Sequence, residues 1–380
     1  MPSCQVIETP CKVNLHLGIH RGRDERGYHR VDSVMVPVAL CDTVAVEDAP
    51  ELVVHHEPAL EVAPEKTTVW RAATMLADAL GVEPNVRIDV VARIPEKAGL
   101  GGSSADAGAV LRALACRWGI SASAERVVSV ARRVGADVAF FLDCRPGLYL
   151  GAGDVLERVF PEFDAPIVLV MPSADGVSTK EAYDEFDASG EEPASYAPAC
   201  EALERGDVDA MAAALYNNLA PSAESLCADV RAVSEWLAAQ DGVLASQVTG
   251  SGACSFALCE SDKAAEAIAA RAREDHGWRA WATRVGGAAM RENSLNFSFA
   301  RLKKSGKLHF CNGLWLSLVE HRVRDAGVAG SNPVNPTIEL RGRRLCAGGL
   351  FVCRAPPACP CGAACGLRPF CTDGPIWRFS

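Results

Sequence analysis

The chain has 380 residues, 49% apolar and 23% charged, with a net charge of −10, a size that predicts two or three domains around a substantial core. Residues 291–380 hold 13 Lys and Arg against 5 Asp and Glu, a net of +8, so the first 290 carry −18; so acidic a body argues against a nucleic-acid substrate and marks a boundary near 290. The N-terminus has neither a basic region nor an apolar run, no stretch reaches a membrane span, and nine of the 16 cysteines lie scattered before residue 290 without C-x-x-C spacing, so a cytoplasmic protein with reduced thiols and no membrane partner is expected.

In chain order, residues 10–48 read as strands, with Val13, Leu15 and Leu17 on one face, Lys12, Asn14 and His16 on the other, and a polar turn at 21–27. A helix is expected over 68–80, burying Trp70, Ala73, Leu76, Ala77 and Leu80 and ending at Gly81. Val86, Ile88, Val90, Ala92 and Ile94 then alternate with more polar residues as in a half-buried strand, which Pro95 stops. Residues 95–110 form a glycine-rich turn running straight into a helix. Gly99, Gly101 and Gly102 let backbone N–H groups approach phosphate oxygens, while Ser103, Ser104 and the helix N-terminus add donors and a positive dipole end. The loop suits a nucleoside triphosphate, although neither a P-loop nor a G-x-G-x-x-G fingerprint is present and a tight turn without a ligand stays open as the alternative. Val110, Leu111, Leu114 and Trp118 continue the helix toward Gly119, and another helix over 123–134 ends at Gly135, placing Asp137 just beyond it. After Asp164, strands at 167–170, 243–249, 255–258 and 278–285 alternate with helices, one of them at 263–273, an α+β pattern with a sheet backed by helices.

Five ordered segments carry a resemblance: Pro10-Cys11-Lys12-Val13-Asn14-Leu15, Gly27-Tyr28-His29, the loop from Pro95 to Ala105, Gly135-Ala136-Asp137-Val138-Ala139-Phe140-Phe141, and Thr249-Gly250-Ser251-Gly252-Ala253-Cys254. Together, over roughly residues 5–289, they resemble the GHMP small-molecule kinases, and within them the branch acting on a cytidine diphosphate methylerythritol. The resemblance implies an α+β, two-domain GHMP kinase fold: a ribosomal-protein-S5-domain-2-like domain at 1–162 and a ferredoxin-like domain at 163–289. It implies transfer of the ATP γ-phosphoryl group to the 2-hydroxyl of that small-molecule substrate, with Mg2+ accompanying ATP, no protein metal site, and a monomer or homodimer. Asp137 matches the family's catalytic base and Lys12 its catalytic cation. Pro95, Glu96, Lys97, Ala98, Gly99, Leu100, Gly101, Gly102, Ser103, Ser104 and Ala105 match its nucleotide loop. Asn14 and Thr179 match substrate contacts; Tyr28 and Tyr183 would sandwich the cytosine ring, and His29 would select it.

The chain departs from the family pattern at Gly101, Ser103 and Ala139, and Asn217-Asn218-Leu219-Ala220 lacks the acids of an N-D-L-E segment. Alternative readings are a homoserine or mevalonate type kinase, or a non-catalytic nucleotide-binding relative. Residues 290–380 fall outside the resemblance and are expected to be an irregular tail, disordered or artefactual. Gly330-Ser331-Asn332-Pro333 is what a common T-arm sequence of transfer RNA genes spells in one reading frame, as though the open reading frame had run into such a gene. The gaps between Cys353, Cys359, Cys361, Cys365 and Cys371 do not make paired zinc knuckles.

Overall fold

A computed structural model describes residues 5–25, 27–173, 177–189 and 191–286, with further backbone at 292–293, 338–340 and 343–345. It divides into two compact units, Met1–Arg301 and Leu302–Ser380.

The first unit begins with a long antiparallel hairpin of β1 (Gln5–Arg23) and β2 (His29–Asp48), whose register shifts after Pro10, Asn14 and Ile19. Its turn is tighter than the sequence suggests: Asp24 N–H donates to the Tyr28 carbonyl at 2.7 Å and Asp24 Oδ1 accepts from Tyr28 N–H at 3.0 Å. β3 (Val53–Glu57) and β4 (Val86–Val91) are parallel neighbours, so the chain must cross over between them, which it does through α1 (Thr68–Leu80). Thr67 caps that helix by accepting from Trp70 N–H at 3.2 Å, and Gly81 closes it at φ 67°. Trp70 and Leu80 are only half buried, because the buried stripe runs through Val69, Ala72, Ala73, Leu76 and Ala77.

α2 (Gly102–Arg117) is buried without a break from Ala105 to Ala115. That buried stretch is all Ala, Gly, Val and Leu apart from Asp106 and Arg112, so the helix can be enclosed on every side, packed against β1, β2, α1 and the segment carrying Asp137. α3 (Glu125–Val134) follows, and Asp137 sits in a 3-10 helix over Ala136–Leu142 rather than in an open turn. β5 (Gly147–Leu150) and β6 (Val155–Val159) extend the sheet from β2.

The second half contains β7 (Ala165–Met171), α4 (Thr179–Ser189), α5 (Ala197–Arg205), α6 (Val208–Ala214), β8 (Tyr216–Asn217), α7 (Ala220–Leu226), α8 (Ala228–Ala238), β9 (Val243–Val248), β10 (Ser255–Cys259), α9 (Asp262–His276) and β11 (Arg279–Val285). β9, β10, β7 and β11 lie side by side, all antiparallel, with α8 and α9 packed over Val168, Val170 and Ala257. β11 joins β2 through Val285 opposite Val38, so one mixed sheet runs through both halves. β8 and β12 (Glu292–Asn293) both pair with β1, which extends the strand pairing of the first unit slightly beyond residue 289.

The second unit contains the antiparallel pair β13 (Ile338–Leu340) and β14 (Arg343–Leu345). The expectations for the cysteines between 353 and 371 and for Gly330-Ser331-Asn332-Pro333 lie outside the described residues. Among the described residues no helix is long and apolar enough to cross a membrane.

Candidate active site

A cavity of about 640 Å³ opens between the glycine-rich loop, α1, β1 and the turns that follow β9 and β5. Asp42 on β2 anchors its entrance: Oδ1 accepts from the backbone N–H of Arg93 at 2.5 Å and of Ile94 at 2.8 Å, holding the chain as it leaves β4 for Pro95. Of the loop residues named from sequence, Pro95, Glu96, Lys97, Ala98, Gly99, Gly101, Gly102, Ser103 and Ser104 line the cavity. Leu100 and Ala105 instead point into the core, both fully buried, although the Leu100 carbonyl still accepts from Lys12 N–H at 3.0 Å.

Two glycines are demanded by neighbouring protein as well as by any ligand. Gly99 has φ +72°, and a Cβ there would stand 2.1 Å from the Thr249 carbonyl oxygen. Gly101, at φ +78°, begins α2, and a Cβ there would meet Phe141 at 3.0 Å and the Lys12 stem at 3.2 Å. The loop is thus seated on the turn after β9, which also donates Ala253 N–H to Lys97 O and Cys254 N–H to Ala98 O, each at 3.2 Å.

Lys12 and Asp137 meet in this cavity at 3.4 Å, with Lys12 only 4% exposed and Asp137 35%. A buried ammonium needs partners. Lys12 Nζ also donates to Asn14 Oδ1 at 2.6 Å; Asn14 Nδ2 donates to Ser33 Oγ at 2.8 Å, and Asn14 N–H donates to Thr249 Oγ1 at 3.2 Å. Lys12 and Asn14 share a face as expected, and that face is buried, but the alternation ends at the register shift after Asn14: beyond it Leu17 rather than His16 lines the cavity, and His16 packs against Tyr196 and Tyr216. Burial pushes His16 down to about 4. Asn217 explains the segment without acids: its Nδ2 donates to Val248 O at 2.7 Å and Gly250 O at 2.9 Å, pinning the turn beneath the loop.

At the other end, Thr179 Oγ1 lies 3.0 Å from Ser251 Oγ, and both residues line the cavity. Tyr183 lines it too, with its phenol pushed up to about 12, chiefly by burial. Its ring stacks on His29, centroids 5.4 Å apart and planes at 30°. Neither Tyr28, 58% exposed at the hairpin tip, nor the buried His29 lines the cavity, and the stacking partner of Tyr183 is His29 rather than Tyr28 across a gap.

Sequence reasoning missed Ser33, Thr249, Ser251, Asp42 and Asp106. Thr249 and Ser251 lay in a quoted motif, whereas nothing local marks Asp42 and Asp106 as a pair. Both are buried and line the cavity. Burial, then the charge of Asp42, pushes Asp106 well above the usual carboxylate range, and burial lifts Asp42 to about 6. The charge of Asp42 beside it thus favours the protonated form of Asp106.

Residues 67–144 match the family model for the GHMP kinases N terminal domain and residues 199–277 that for GHMP kinases C terminal. The chain is 36% identical over 270 residues to 4-diphosphocytidyl-2-C-methyl-D-erythritol kinase of Desulfitobacterium hafniense, covering 70% of this chain and 92% of that protein. It is also 36% identical over 273 residues to the kinase of the same name from Rhodococcus jostii, covering 70% and 87%. A crystal structure of 4-(cytidine 5'-diphospho)-2C-methyl-D-erythritol kinase superposes with a TM-score of 0.61 at 31% identity, over 74% of this chain and 99% of that one. Phosphomevalonate kinase of Streptococcus pneumoniae, at 14% identity and a TM-score of 0.55 over 74% and 99%, shares the fold alone.

Proposed function

The chain belongs to the GHMP kinases, in the branch of the 4-diphosphocytidyl-2-C-methyl-D-erythritol kinases, and from that premise we propose that it transfers the γ-phosphoryl group of ATP to the 2-hydroxyl of 4-diphosphocytidyl-2-C-methyl-D-erythritol. The observation that carries this reading is the Lys12–Asp137 pair inside the cavity that the glycine-rich loop lines.

On this reading the substrate hydroxyl oxygen forms a bond to the γ-phosphorus as the bond from γ-phosphorus to the β–γ bridging oxygen breaks, and ADP leaves. Asp137, a third exposed, accepts the hydroxyl proton. Lys12 pairs with that carboxylate and offsets charge on the transferring group; Asn14 and Thr249 fix where its ammonium sits. The N-terminus of α2 and the loop backbone receive the polyphosphate. Magnesium accompanies the ATP phosphates, and the side-chain oxygens of Ser103, Ser104 and Asp137 at the cavity suit a hard cation that retains most of its waters. Thr179 and Ser251 offer hydroxyls to the substrate, and Tyr183 supplies an aromatic face for the cytosine, with His29 stacked on it and Tyr28 at the hairpin tip.

Release of ADP, measured in parallel with 4-diphosphocytidyl-2-C-methyl-D-erythritol, homoserine and mevalonate, tests the proposal. Turnover of the cytidine substrate and of neither small alcohol is expected; the reverse order would overturn it.

A further inference from the structure

His29 is held on every side by parts of the protein distant in sequence. Its side chain is 3% exposed, and Nδ1 lies 2.8 Å from the His20 carbonyl oxygen, which only accepts, so Nδ1 carries a proton and donates it there. From α4, three side chains at i, i+3 and i+4 converge on the ring: Tyr183 stacks on it, Phe186 meets it edge-on at 6.0 Å and 88°, and Asp187 Oδ1 stands 3.0 Å from Nε2. That carboxylate lies off the line of a ring hydrogen bond, so Nε2 has charge beside it but no hydrogen-bond partner along its own direction. Asp187 is also ion-paired with Arg23, which stands opposite His29 in the β1–β2 register and donates through Nη1 to Gly27 O at 3.1 Å.

One carboxylate therefore links three things: the imidazole, the guanidinium across the strand pair, and, through that guanidinium, the turn that presents Tyr28. We propose that Asp187, clamped by Arg23, is a positioning residue for recognition of a cytidine nucleotide. It holds His29 and the Gly27–Tyr28 turn in register with Tyr183, so that the base meets a wall arranged in advance. The inference rests on the substrate reading above. Arg23 and Asp187 are 46% and 37% exposed, so their pairing adds little to stability. Its effect lies in preorganisation, which appears in binding.

The test is steady-state kinetics of the full chain with Asp187→Asn, Asp187→Glu and Arg23→Ala, using 4-diphosphocytidyl-2-C-methyl-D-erythritol and its uridine counterpart. Asp187→Asn should raise KM for the cytidine substrate about 5- to 20-fold, with kcat within about twofold and KM for ATP unchanged. Its preference for cytidine over uridine should shrink, Asp187→Glu should recover part of the loss, and Arg23→Ala combined with Asp187→Asn should be no worse than Asp187→Asn alone. An unchanged substrate KM in Asp187→Asn, or a rise matched by an equal rise for ATP, overturns the inference while leaving the kinase reading intact. Failure of the unmodified chain to use the cytidine substrate overturns both.

Discussion

The two ends of the cavity are built on different principles. At the reacting end, Lys12 is buried, its neighbour Asn14 is tied both to β2 and to the turn after β9, and the loop glycines leave no room for a Cβ. At the base end, Tyr28 is exposed and the groups around His29 are fixed by ion pairs reaching the surface. A site that moves a phosphoryl group needs atoms fixed to fractions of an ångström. One that chooses a base can be closed around its ligand. Substitutions at the first end should strike kcat and folding; those at the second should strike KM.

The largest effect expected is at the buried end. Asp137→Asn keeps the shape but removes the proton acceptor, so kcat should fall about 10²- to 10⁴-fold while ATP binding is largely kept. Near-normal turnover would end the assignment. Gly99→Ala comes next: with the Thr249 carbonyl oxygen 2.1 Å from the new Cβ, loop and turn must part. A loss of about 2–4 kcal/mol in urea unfolding is expected, together with weakened ATP binding. At the open end, His29→Ala and Tyr28→Ala should each raise substrate KM by roughly 10-fold or more with ATP affinity unchanged. A kcat loss without a KM change would erase the contrast between the ends.

A smaller effect is expected from the two buried carboxyls of Asp42 and Asp106. Carboxyls held above their ordinary value keep a proton in the folded chain that the unfolded chain has released. Their stability contribution is therefore present at low pH and lost as pH rises from about 4 through 6 and beyond. His16 works the other way, its contribution lost as pH falls toward 4, so the difference between variant and unmodified chain is the informative quantity. Asp106→Asn should raise Tm by about 2–5 °C at pH 8 and by less at pH 5. Equal shifts at both pH values would mean that folded Asp106 holds no proton that the unfolded chain releases. Smallest of all, a chain ending at Asn293, which keeps the pairing of β12 on β1, should retain kcat and Tm.

The comparison also marks what a sequence can disclose. α1 was legible to the residue because a capping Thr, an apolar stripe and a closing Gly act within 15 residues of one another. The five motifs of the site were legible because each is a local run. α2 was legible as a helix from the spacing of Val110, Leu111, Leu114 and Trp118, but its enclosure on all sides was not, since only the surrounding elements decide that. Lys12 and Asn14 were placed on the correct face, but their burial comes from segments over 200 residues away. Asp42, Asp106 and Asp187 left no local trace: each matters through a partner that the chain brings near only when folded.

The seating of the phosphate loop on the turn after β9 bears on how the molecule comes into being. Asn14 and Thr249 are bonded across 235 positions, and Ala253 and Cys254 supply the floor for Lys97 and Ala98. A ribosome makes the N-terminal part first, and contacts of such long range form late. The loop and Lys12 are thus synthesised long before the floor that completes them. Catalytic competence arrives only once residues 249–285 have been made and the sheet has closed, and a nascent chain halted at mid-length holds the motif without the site.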